Sequence, residues 1–286
     1  MKLVRILIVL FVFSTAFAQT LFSQENNLSP EKIEEVIGMA GLESQVESTA
    51  DLIAESMKMY SFSLKRDASL KYDVLIGKAY EKTRFYSDFK KIFSGKLRVA
   101  DIPGIEKWFS SPLGIKITEI EKKSLSPESA KAFVDYLPQS LSLSEKRKNL
   151  VREFLKATFA DEFSEKIVCE PMTVMITATR ESVPGRMRRG ETVFRENLDG
   201  IEREALIRYR FLLPVSTAYA YRDISDEEFS IMIDFYNSPP GRNFTVAVME
   251  SVISAMNIAA RDCGSGMARI IRDAGEKPSG TKVNGE

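Results

Sequence analysis

From Leu28 onward, apolar residues recur at spacings of three and four. Ile33, Val36, Ile37 and Ala40 form one such series, and Val46, Ala50, Ile53, Met57 and Tyr60 form the next. This is the period of a helix with one buried face, so the spacing predicts amphipathic helices. Alternating runs of Val, Ile and Thr, which would predict strands, are nearly absent. The short run at 173–177 sits inside a longer helical pattern and is assigned to it. The expected fold class is all-α.

Helix starts are marked by Ser followed at once by Pro, at Ser29-Pro30, Ser111-Pro112, Ser126-Pro127 and Ser238-Pro239. A Ser hydroxyl accepts from an unpaired N–H of the first turn, and Pro at the first helical position wastes no donor and presets φ. Ser225 and Glu228 have the spacing of a capping box. Pro214 lies inside the apolar pattern 206–221, where its ring and missing N–H predict a bend. Pro184, Gly185 and Gly190 make 182–191 a loop. The Gly-, Pro- and charge-rich stretch 275–286 has nothing to bury and is expected to be a disordered tail.

The N-terminus has a different pattern. Lys2 and Arg5 precede an apolar run from Ile6 to Phe13, and Ala16-Phe17-Ala18 offers a small-x-small cleavage site. Residues 1–18 therefore read as a secretory signal peptide, with a second candidate cut after Ser23. The apolar run is shorter than the ~20 residues a bilayer span requires. The expectation is an exported chain, periplasmic or extracellular after cleavage, with no transmembrane segment in its mature part.

Two segments repeat one pattern: Trp108-Phe109-Ser110-Ser111-Pro112-Leu113-Gly114 and Phe235-Tyr236-Asn237-Ser238-Pro239-Pro240-Gly241. Upstream of them, Phe229, Met232 and Tyr236 fall opposite Ile102, Ile105 and Phe109. Further back, Ile37, Ala40, Leu42 and Val46 can be laid on Phe154, Ala157, Phe159 and Phe163. We read a tandem or pseudo-symmetric duplication of a helical module, with copy one over 28–140 and copy two over 141–274. Each motif reads as a corner: aromatic residues (Trp108 and Phe109, Phe235 and Tyr236) end one helix, Ser111 or Ser238 caps the next, and Pro112 or Pro239 begins it. Gly114 or Gly241 then removes a side chain where two helices meet. The functional alternative is an anion held by free amides at the new helix start, beside Lys116 or Arg242.

The acidic start Asp226-Glu227-Glu228, followed by Phe235-Tyr236 and Ser238-Pro239-x-Gly241, resembles domain of unknown function 2059, a family of exported bacterial helical proteins. The first copy departs from that pattern, with Asp101-Ile102-Pro103-Gly104 at the acidic start and Trp108 in place of Phe. The resemblance implies a helical exported module. It carries over no catalytic residue.

Composition narrows the chemistry. The chain has no His, which removes the usual general base of Ser and Cys nucleophiles and the imidazole ligand of zinc, copper or iron. Lys plus Arg equals Asp plus Glu at 40 each, so no net field steers the chain toward nucleic acid. Cys169 and Cys263 fit no CxxC spacing. In an exported chain they are a candidate disulfide; the alternative is two buried thiols.

The densest basic patch, Arg180, Arg186, Arg188, Arg189 and Arg195, lies beside Glu191, Glu196 and Asp199 and reads as a solvated loop. The acidic pairs Glu34-Glu35, Asp161-Glu162 and Glu227-Glu228 occupy adjacent helical positions, which point in different directions. Met57, Met59, Met172, Met175, Met249 and Met256 fall on apolar helical positions and read as core. No catalytic, metal or cofactor-binding residue is assigned, and no cofactor. The leading expectation is a non-catalytic envelope protein whose paired modules bind a protein or assemble. The alternatives are a binder of lipid or another apolar molecule, which needs a large apolar cavity, and a hydrolase using carboxylates alone, which needs two acids facing one cleft.

Overall fold

A computed structural model describes residues 28–58, 66–183, 203, 207 and 210–276. The expected signal peptide at 1–18, Met59, Tyr60, Arg186, Arg188, Arg189 and Arg195 lie outside the described residues. The chain is all-α, and no strand occurs among the described residues. The helices are α1 (Pro30–Met39), α2 (Leu42–Lys58), α3 (Arg66–Ala79) and α4 (Lys82–Lys96), followed after a 3-10 turn (Val99–Asp101) by α5 (Ile102–Phe109), α6 (Pro112–Ser124) and α7 (Pro127–Ser140). Then come α8 (Glu145–Ala157), α9 (Ala160–Ser182), α10 (210–220), α11 (Asp226–Asn237) and α12 (Pro239–Glu276). The helix of α10 runs through Pro214, and α9 includes the 173–177 run. The helix of α12 continues through Glu276, so the boundary expected at 275 falls inside its last turn.

The start signals act where they stand. Ser29, Ser111, Ser126 and Ser144 each accept an N–H three residues on, and both halves of the Ser225–Glu228 capping box are formed. Ser238 accepts from the Gly241 N–H at 3.3 Å. These bonds satisfy donors that a helix start otherwise leaves unpaired.

Helix α12 organises the fold. Its 38 residues span about 57 Å, and α3, α4, α5, α9 and α11 pack along it. Alignment with α4 is antiparallel, fixed by Arg84 on Asp262, Lys96 on Glu250 and the edge of Phe93 against Phe244. Near its C-terminal end, Leu75 of α3 fills the place where Gly266 lacks a side chain. Alignment with α9 is parallel: Asn257 donates to Glu170 at 3.3 Å, and Gly264 admits the backbone of α9 at Met175 and Thr179. Among the described residues, α12 alone is long and apolar enough to cross a membrane, over Pro239–Asp273, where the sequence reading expects no such stretch. Of its apolar window, 67% is buried against protein neighbours.

A single buried core runs through both halves of the chain. Two left-handed residues set the hinges between paired helices, Gly41 (φ 64°) between α1 and α2 and Phe159 (φ 50°) between α8 and α9. The hinges place Gly41 opposite Phe159, one residue away from the alignment of Leu42 with Phe159 that the apolar pattern suggests. Apolar spacings of three and four tolerate a one-residue slip, whereas a left-handed residue marks one position.

Candidate functional site

The two corner motifs have matching geometry. Ser111 Oγ donates to the Trp108 carbonyl at 2.6 Å and accepts from the Gly114 N–H at 3.0 Å. Ser238 Oγ donates to the Phe235 carbonyl at 2.6 Å and accepts from Gly241. A Cβ at Gly114 would strike the Trp108 carbonyl and lie 3.1 Å from Phe109 Cα. At Gly241 it would strike the Phe235 carbonyl and lie 3.1 Å from Tyr236 Cα. In both corners the glycine lets the new helix start directly on the end of the old one. Pro112 and Pro239 open those helices.

The corners also meet each other. The Trp108 and Phe235 rings stack with centroids 4.6 Å apart and planes 6° from parallel, and Phe109 sets its edge toward Phe235 at 5.9 Å. Pro240, in the second corner, sits where Gly104 lacks a side chain. Asn243 donates to Asp101 at 2.9 Å, so the residue at the divergent start of α5 holds the start of α12.

Between the two halves is a cavity of about 30 Å³, with Gln45, Phe109 and Glu121 from the first half and Tyr236, Phe244 and Thr245 from the second among its lining. That is room for one or two waters. The Glu121 carboxyl on α6 is buried and accepts from Tyr221 at 2.7 Å, with a further hydrogen bond from Gln45. Burial pushes its pKa up to about 7, against the opposing pull of Tyr221 and Gln45. The Tyr221 and Tyr236 phenols are pushed well above their ordinary range, first by burial and then by the nearby Glu121 charge. One turn earlier on α6, the buried Thr118 Oγ1 has no hydrogen-bond partner.

Arg147 of α8 supports this cluster from behind. Its guanidinium donates to the Tyr221 carbonyl and to Asp226 at 3.1 Å, and lies over the Phe229 ring at 4.6 Å. Both the capping-box helix and the tyrosine on Glu121 are therefore anchored by one buried cation.

The remaining candidates disperse. Glu34 pairs with Lys90, Glu35 with Lys32, Glu227 with Lys146 and Glu228 with Lys116, all at or near the surface. None of these pairs converges on a cleft. Arg180, the one described member of the arginine cluster, is exposed on α9. Met249 and Met256 are buried in the core, and Met57 and Met175 pack against it. Among the described residues no group of His, Cys, Asp and Glu is placed to hold a metal ion.

No bond joins the two cysteines: Cys263 is a buried thiol on α12 and Cys169 a half-buried one on α9. Because α9 and α12 run parallel with Glu170 beside Asn257, Cys263 stands six residues beyond that contact and Cys169 one residue before it. Along the axes this is about 10 Å, further than the 4.4 to 6.8 Å between Cα atoms that a disulfide bridges. Of the two readings of this pair, the structure has two thiols, and burial pushes that of Cys263 up to about 12.

Sequence reasoning missed Glu121, Gln45, Tyr221 and Arg147. One further regularity was available. Thr118 and Thr245 both stand four residues after the corner glycine, and Ser124 and Ser251 both stand ten after it; all four are buried. Against known proteins, the chain matches no family model, no curated protein and no solved structure.

Proposed function

We propose that this chain is an exported, non-catalytic envelope protein in which two copies of one helical module, akin to domain of unknown function 2059, pack together and bind a protein partner. The observation that carries this reading is how the junction between the halves is filled. Trp108 lies flat on Phe235, and the cavity lined by the neighbouring Phe109 and Tyr236 has about 30 Å³ and one carboxylate. A glycosidase-type hydrolase would need two acids across a cleft. A pocket for an apolar molecule is about ten times larger, from roughly 300 Å³ upward. The matched corners, with buried Thr and Ser at equal distances beyond each glycine, support descent from one repeated module.

The surface supplies a contact face. Leu70 and Val74, one turn apart on α3, are 61% and 58% exposed, and Ile271 is exposed on the part of α12 that Lys71 of α3 pairs with through Asp273. Apolar side chains grouped on a surface are what protein contacts bury.

Two measurements test the proposal. Intact mass of the protein from the envelope fraction is expected to begin at Gln19 or Gln24; a chain retaining residues 1–18 overturns export with cleavage. A photo-crosslinker at position 74 is expected to capture one discrete envelope protein, and Leu70→Lys to abolish that product. Absence of any product, or a product indifferent to Leu70→Lys, overturns the assignment of this face.

A further inference from the structure

We propose that Glu121 is a proton-operated latch between the two halves: protonated, it closes the junction, and ionised, it draws water into the adjoining cavity and loosens α6 from the second corner. The latch stands on geometry and is independent of export and of any partner.

An ionised carboxylate withdrawn from water needs a cation or several donors to replace its hydration. Glu121 is 6% exposed, and among the described residues no Lys or Arg is bonded to it. The groups facing it from each packed element are neutral at ordinary pH: Gln45 from α2, Tyr221 from the turn after α10, Tyr236 from α11 and Thr245 from α12. Arg147 stops at the Tyr221 carbonyl and is already paired with Asp226. On α6 itself, Lys122 points to Glu119. A protonated carboxyl suits this enclosure, since it can donate as well as accept. The cavity beside it gives water a place from which to reach the charged form, and its walls include Phe109 and Tyr236, one aromatic residue from each corner.

The sign follows from linkage. Glu121 ionises at about 7 in the fold against 4.5 in the unfolded chain. Between these values the folded state holds a proton that the unfolded state has released, so stability falls as pH rises through the window and levels off above it. The unfolding equilibrium constant is expected to rise by up to tenfold per pH unit there, and on the order of a hundredfold overall.

The test is urea unfolding of the full chain from pH 4.5 to 8.5, wild type against Glu121→Gln. The wild type should lose stability across the window, and Glu121→Gln should lack that component; parallel profiles overturn the proposal. If Glu121→Gln does not fold, Tyr221→Phe takes its place. Removing a donor that favours the charged carboxylate should move the wild-type midpoint to higher pH, and an unmoved midpoint overturns the latch. Hydrogen exchange corrected for intrinsic rates should show α6 opening above pH 7 while α3 does not. Equal opening of both helices overturns the local character of the switch.

Discussion

At Trp108–Gly114 and at Phe235–Gly241 the same serine, proline and glycine close the same bend, yet seven residues beyond each glycine the side chains differ. The first corner has Glu121 there on α6, and the second has Val248 on α12. Both line the same cavity. The helices differ as well: α6 ends after 13 residues, while α12 continues for 38 and carries five other helices along it. A corner thus specifies how one helix leaves another, and the residues beyond it decide whether the outgoing helix becomes a core element or a partly exposed one holding a polar group.

Truncating the stacked rings should have the largest effect on this comparison. Trp108→Ala is expected to cost about 3 to 5 kcal/mol in urea unfolding, and Phe235→Ala less, because its ring is only half-buried. The double variant should show a coupling of about 0.5 to 1.5 kcal/mol; strict additivity would mean the two corners do not support each other.

Next come the glycines. Gly114→Ala and Gly241→Ala each force a Cβ against a carbonyl of the preceding helix, at about 1 to 3 kcal/mol. Gly241→Ala should lie at the upper end, because α12 is held along its length and α6 is free to shift. A larger cost at Gly114 would reverse the ranking of the two helices.

Cap serines should behave alike. Ser111→Ala and Ser238→Ala are each expected to cost about 1 kcal/mol, and a clear difference between them would show that the corners are not equivalent in energy. Smallest of all is Lys116→Ala, which removes the 2.8 Å pair with Glu228 joining α6 to α11. Half-exposed pairs of this kind contribute about 0 to 1 kcal/mol, and the effect should fade with added salt.

Several of these features are legible in the order of residues alone. Ser29, Ser111, Ser126 and Ser225 announce their helices because a cap acts within one turn and needs no distant partner. The corner motif is legible for the same reason. Glu121 is not, because the run Lys116–Lys123 alternates charges in the manner of a solvated face, and only the arrival of Tyr221 from 100 residues away buries it. Cys169 and Cys263 could be paired on paper because sequence carries no record of the parallel alignment that holds them apart. Gly264 and Gly266, which weaken a helix in isolation, give no hint that α12 runs on through them; they are where α9 and Leu75 of α3 pack closely.

The amino-acid sequence alone therefore determined that the chain is helical, where most helices begin, and that one bend occurs twice, since periodicity, caps and proline act through neighbours three or four residues away. Tertiary structure decided which of the outgoing helices forms the core, which carboxyl loses its water, and which register the two helix pairs adopt. Those outcomes depend on surfaces brought together across the whole chain, and the free energy of burying a charge or a helix face exists only once they have met.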